Sequence, residues 1–155
     1  MHLTGCVHDV EGGIFHPLRQ MPMTGVHQID VERVVCRLDE LADPGARAFT
    51  IGTGDWPLRG FVVRVHEAVR GYVNHCPHAG HPLDLMPHRF LTLDGALILC
   101  GSHGALFDKL TGYCIAGPCV GRHLRSIPLE VEAGFVMLAE DVDVAALGRA
   151  TDSSI

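Results

Sequence analysis

With 155 residues, 47% of them apolar, the chain has the bulk for one compact domain with short tails and not for a two-domain enzyme. Twelve basic residues against eighteen acidic ones leave a formal charge of −6, which argues against a nucleic-acid partner and suits a basic docking partner better. No apolar run approaches the ~18 residues of a membrane span, and the opening MHLTGCVHDVEGGIFHPLRQ lacks a basic start followed by an apolar stretch. No membrane contact and a cytoplasmic address are therefore expected.

Residues 1–30 mix Gly, Pro, Met and His without periodicity and read as an irregular N-terminal extension. From Val31 the pattern changes to short runs rich in β-branched and aromatic residues: VERVVC, RAFTI, FVVRV, GYVN, ALILC, ALFD, SIPLEV and FVML. Turn signals fall between them at DPG (43–45), Asp94-Gly95, Thr111-Gly112 and Ala133-Gly134. The fold class predicted is all-β, mostly antiparallel hairpins, in a domain spanning residues 31–139. Short helical turns are expected at Leu38–Ala42 and around Val142–Leu147, and residues 140–155 read as an acidic, solvated C-terminal tail.

The chemistry concentrates in two places. One is 76-CPHAGHPL-83 and the other is 99-LCGSHGALFD-108. Written as spacing, they give Cys76-x-His78, twenty-one residues, then Cys100-x-x-His103, each pair in a loop at the end of a β-run. A single buried cysteine or a single histidine is ordinary packing, but two such pairs in matching loops are not. In a reducing compartment the six cysteines are better read as free thiols or metal ligands than as a disulfide framework. A structural zinc site also takes two cysteines and two histidines. Its usual arrangement, however, keeps cysteines in one half and histidines in a helix, whereas here each loop supplies one of each. A two-iron cluster with thiolates on one iron and imidazoles on the other needs that interleaving, because each loop must reach both irons.

On these residues the chain resembles the Rieske-type [2Fe–2S] proteins, of the small ferredoxin-like kind. The resemblance takes in Cys76, His78, Gly80 and Pro82-Leu83, then Cys100, His103-Gly104 and Phe107-Asp108, then Thr111-Gly112 and the loop 117-GPC-119. It implies an antiparallel β-sandwich with a small cluster-binding subdomain of two ligand loops. It also implies one cluster per chain, with Cys76 and Cys100 on the inner iron and His78 and His103 on the outer one. Gly80, His81, Ser102, Ala105, Phe107, Gly117 and Pro118 would surround the ligands. Cys114 and Cys119, beside the third loop, read as small apolar residues packed beneath it. The stretch between the boxes is longer than in the most compact members, the extra residues lying around 84-DLMPHRF-90, and His88 within it reads as a surface residue.

Two ferric ions, two sulfides, two thiolates and two neutral imidazoles sum to zero charge, where four thiolates would give −2. Such a site accepts an electron more readily, so the potential rises from about −400 mV into a range of roughly −150 to +300 mV. High-potential relatives carry a serine and a tyrosine hydroxyl two and four residues after the second histidine, and a disulfide between the boxes. This sequence has Ala105 and Phe107 in the first pair of places and His81 and Ser102 in the second, which implies the low end of that range. The implied function is a one-electron carrier, not an enzyme, between a flavin-dependent reductase upstream and an oxygenase or other terminal oxidoreductase downstream. The alternative is a small Rieske subunit bound permanently to a larger oxidoreductase such as nitrite reductase. A zinc-stabilised binding module or a redox sensor is a third class.

Overall fold

A computed structural model describes residues 28–149. The N-terminal extension read at residues 1–30 lies outside them except for its last three residues, as do residues 150–155. Among the described residues ten strands run in order: β1 (Val34–Arg37), β2 (Gly45–Ile51), β3 (Leu58–Val65), β4 (Ala68–Val73), β5 (Ile98–Leu99), β6 (Leu106–Phe107), β7 (Cys114–Ala116), β8 (Ser126–Ile127), β9 (Leu129–Glu132) and β10 (Phe135–Leu138). They form three antiparallel sheets, ordered β1-β10-β9, β2-β3-β4-β8 and β5-β6-β7. The all-β expectation holds. Leu38–Glu40 forms the expected helical turn, of 3-10 type.

The middle sheet is built on β3, whose run Phe61-Val62-Val63 is buried at every position. Continuous burial means that both faces are covered, because successive side chains point to opposite sides of a strand. Val62 joins Cys36, Leu41 and Val136 on the β1/β10 side. Phe61 and Val63 turn the other way, with Tyr72, and meet the segment between β4 and β8. A two-sheet base and a cap laid on its second face follow from this alternation.

The Ala133-Gly134 turn behaves as its sequence asks, with φ of 49° and 81° joining β9 to β10. Asp94-Gly95 does not make the same turn. Only Gly95 takes a positive φ there, and Asp94 instead accepts hydrogen bonds from Thr92 Oγ1 at 2.5 Å and Ala96 N at 3.0 Å. The helical turn expected around Val142–Leu147 forms, but the apolar side of this segment is packed rather than solvated. α1 (Val144–Arg149) forms, and Val142, Val144 and Leu147 pack against Leu58, Val73, Ile127 and Leu138. Glu140, Asp141 and Asp143 are exposed, while Val142, Val144 and Leu147 close the end of the sandwich.

Candidate metal centre

Both sequence boxes lie in the cap, and they fold as copies of one loop. In the first, Cys76 N donates to His81 O (2.9 Å) and Gly80 N donates to Cys76 O (2.9 Å). In the second, Cys100 N donates to Ala105 O (2.9 Å) and Gly104 N to Cys100 O (3.0 Å). Each loop thus closes from cysteine to the fifth residue on, with a glycine at the fourth. Gly80 and Gly104 hold φ of 75° and 72°, a conformation in which a Cβ costs about 1–2 kcal/mol. The glycine keeps its register to the cysteine, so the one-residue difference between C-x-H and C-x-x-H sets the two histidines at different points of equivalent loops. Gly101 N donates to Leu83 O (2.8 Å) and ties one loop to the other.

Cys76 and Cys100 are buried in the same apolar cluster, one from each loop. Burial pushes the Cys76 thiol up; the His78 backbone N–H opposes that shift and the neighbouring Cys100 reinforces it. His78 and His103 are exposed, and their rings meet edge to face with centroids 4.9 Å apart at 88°. Two soft donors therefore sit inside and two imidazoles outside, one of each from each loop. Among the described residues no three His, Cys, Asp or Glu side chains converge as a single ion requires. A two-iron cluster asks only two protein ligands of each iron, so this donor set fits it by chemistry and by its division.

Around the four, His81 is exposed and its ring lies 5.5 Å from that of His103. Ser102 is half-buried and Pro118 exposed. Ala105 and Phe107 are fully buried beneath the second loop, and neither presents a hydroxyl. Gly117, at φ 99°, lies so near the second loop that a Cβ would come 2.7 Å from the Ala105 Cα. His75, outside the set, has its pKa lowered by burial, which favours the neutral ring.

Other residues outside the two boxes also shape the site. Arg122 Nη1 donates to Pro77 O (2.7 Å), holding the first loop between its cysteine and its histidine. Asn74 Oδ1 accepts from Leu83 N (2.8 Å) while its Nδ2 donates to Asp84 Oδ1 (2.7 Å), closing the first loop at its base. Tyr72 OH donates to Lys109 O (2.9 Å), joining base to cap, and burial pushes its pKa up to about 12. Cys114 and Cys119 pack beneath the third loop as expected, with sulfurs 3.4 Å apart. Burial first, then Cys114 and Cys76, push the Cys119 thiol up to about 12. In the longer stretch between the boxes, His88 is exposed but anchored, its Nδ1 accepting from Ala48 N at 3.1 Å. Leu85, 69% exposed, lies over Gly101.

Residues 24–132 match the family model described as the Rieske [2Fe-2S] domain. The ferredoxin of carbazole 1,9a-dioxygenase from Nocardioides aromaticivorans IC177 is 30% identical, over 68% of this chain and 94% of that one, with a TM-score of 0.54. A Sphingomonas yanoikuyae B1 ferredoxin is 25% identical over 69% and 96%, with a TM-score of 0.53. The solved complex of reduced oxygenase and oxidized ferredoxin in carbazole 1,9a-dioxygenase holds a chain 28% identical over 68% and 99%, with a TM-score of 0.54. No curated protein matches the chain.

Proposed function

The chain belongs to the Rieske [2Fe–2S] family, and we propose that Cys76 and Cys100 hold one iron and His78 and His103 the other in a carrier that moves single electrons from a flavin-dependent reductase to an oxygenase or other terminal oxidoreductase. Proteins of this family bind a Rieske-type cluster, and the ferredoxins it resembles transfer electrons rather than catalyse. The observation that carries the assignment is the pair of equivalent loops, each placing one buried thiol inward and one imidazole outward. An oxygenase as the downstream partner is supported by the similar ferredoxin solved in complex with one.

The bound cluster supplies a site for one electron at a time. The chain's own residues decide how that electron enters and leaves. His78 and His103 stand at the surface, so a partner can approach the imidazole edges directly, while the buried thiols keep water from the inner side. Ala105 and Phe107 leave the second loop without the hydroxyl donors that stabilise a reduced, more negative centre. The potential therefore falls toward the low end of roughly −150 to +300 mV.

Iron and acid-labile sulfide assays with EPR of the dithionite-reduced protein test the ligand set. Two irons and two sulfides per chain with a rhombic signal, its average g below that of an all-cysteine cluster, are expected. A colourless sample with zinc and no sulfide would refute it. Size exclusion of the native material separates a free carrier, eluting alone, from a subunit fixed to a larger oxidoreductase.

A further inference from the structure

The first ligand loop receives a cation from the far end of the cap. Arg122 Nη1 donates to Pro77 O at 2.7 Å, across 45 positions of chain. Pro77 is the single residue between Cys76 and His78, and with no N–H its carbonyl is the one backbone hydrogen-bonding group it offers. The arginine's own main chain is fixed as well, its N–H donating to Cys119 O (3.0 Å) and its carbonyl accepting from Cys114 N (2.8 Å). Among the described residues no carboxylate pairs with the guanidinium. Asp84, just after the first box, is turned to Asn74 instead, and Lys109 to Gly95 O. A guanidinium is a permanent charge. It stands here against the peptide joining two residues that hold the irons under the assignment above, on which this inference rests.

We propose that Arg122 is a positioning residue for the first ligand loop and that its charge favours the reduced state. Reduction takes the site from a formal charge of zero to one negative charge, and a neighbouring cation stabilises the negative form. The bond to Pro77 O also sets the plane of the Pro77–His78 peptide, so that the His78 N–H points away from Arg122. Arg122 thus supplies by charge part of what Ala105 and Phe107 do not supply by hydroxyl.

Voltammetry of the cluster-loaded full chain at two ionic strengths tests the charge. Arg122→Gln, which keeps a donor for Pro77 O, should be harder to reduce at low salt. About a fivefold smaller reduced-to-oxidised ratio at fixed ambient potential is expected, the worth of one unit charge across wet surface. Arg122 is exposed, so the gap should narrow in about 1 M salt, where screening reaches about 3 Å; a merely loosened loop would leave a gap that salt does not close. Arg122→Lys should lie nearer the wild type than Arg122→Gln does. Amide hydrogen exchange across residues 76–81 tests the positioning: Arg122→Ala should exchange faster than the wild type, and Arg122→Gln less so. An unshifted Arg122→Gln, a gap equally large at high salt, an Arg122→Lys no nearer the wild type, or unchanged exchange in Arg122→Ala would overturn the inference. A wild type lacking the mixed-ligand EPR signal would remove the ligand assignment and this inference with it. A wild type showing that signal, with Arg122→Gln unshifted, would remove this inference alone.

Discussion

Asn74 is the residue at which loop geometry can be turned into a number. Its side chain makes two hydrogen bonds at the base of the first ligand loop, to the Leu83 backbone and the Asp84 carboxylate, at 2.8 and 2.7 Å. Asn74→Ala removes both, worth about 1 kcal/mol each, and strands the N–H of fully buried Leu83, a further cost of about 1–3 kcal/mol if nothing replaces the acceptor. Partial exposure of Asn74 and Asp84 lets water recover some of this, so a total of about 2–4 kcal/mol is expected. For a chain of 155 residues that corresponds to a fall in Tm of about 6–12 °C. The loss of cluster absorbance during heating at one fixed scan rate reads it out. Asn74→Asp keeps the acceptor for Leu83 but sets two carboxylates together, and should fall between the alanine variant and the wild type. A shift in Asn74→Ala no larger than that of an ordinary surface substitution, within about 0.5 kcal/mol, would show that the loop is held from elsewhere.

Ala105→Ser and Phe107→Tyr, which install the hydroxyls that the second loop lacks, should each raise the potential in voltammetry, since both side chains lie beneath the site. Gly117→Ala should lower the fraction of chains that retain iron after gel filtration, because the new Cβ would meet the Ala105 backbone at 2.7 Å in a φ that L-residues avoid. The Asp108 carboxyl is held below its ordinary value, chiefly by the Thr111 hydroxyl and with help from the Thr111 and Leu110 N–H groups. A depressed carboxylate stabilises the fold above its unfolded pKa of about 4 and loses that contribution as pH falls through the lower folded value. The wild type should accordingly lose more urea resistance between pH 6 and pH 3 than Asp108→Asn, and equal losses would refute the point.

The base is legible in the sequence because its strands carry their own signals. Runs such as FVVRV and FVML are long enough to show β character, and Ala133-Gly134 adopts the turn that its flanking runs require. β7 leaves no such signal, because Cys114–Ala116 is three residues between turn-forming neighbours and is a strand only through its pairing with β6. The tail misleads for a related reason. Its charges are conspicuous in sequence, while the fit of Val144 and Leu147 against Leu58 and Leu138 is a tertiary fact. The four proposed ligands stand out because residue type and local spacing define them. Arg122, which reaches Pro77 across 45 positions, carries no local pattern that could reveal its role.

Net charge is where sequence and structure point apart most usefully. The −6 total suggests a basic partner, but the charge is not spread evenly. Residues 74–125, which form the cap, hold Asp84, Asp94 and Asp108 against Arg89, Lys109, Arg122 and Arg125, a balance of 4 − 3 = +1. The other described residues hold twelve acidic and seven basic side chains, a balance of −5. Arg33, Arg37 and Arg47 are paired with carboxylates there. With exposed screening reaching only about 8–10 Å, a reagent at the imidazole edges meets the cap's charge rather than the chain's, alongside the exposed Leu85. Oxidation of the reduced protein by ferricyanide separates the two descriptions. If the whole chain's negative charge governed, the rate would rise steeply with added salt, because like charges are being screened. A reduced cluster would add −1 and bring the cap to about zero, which predicts a flat rate between low and physiological ionic strength, and a steep rise would show that the acidic base reaches around to the site.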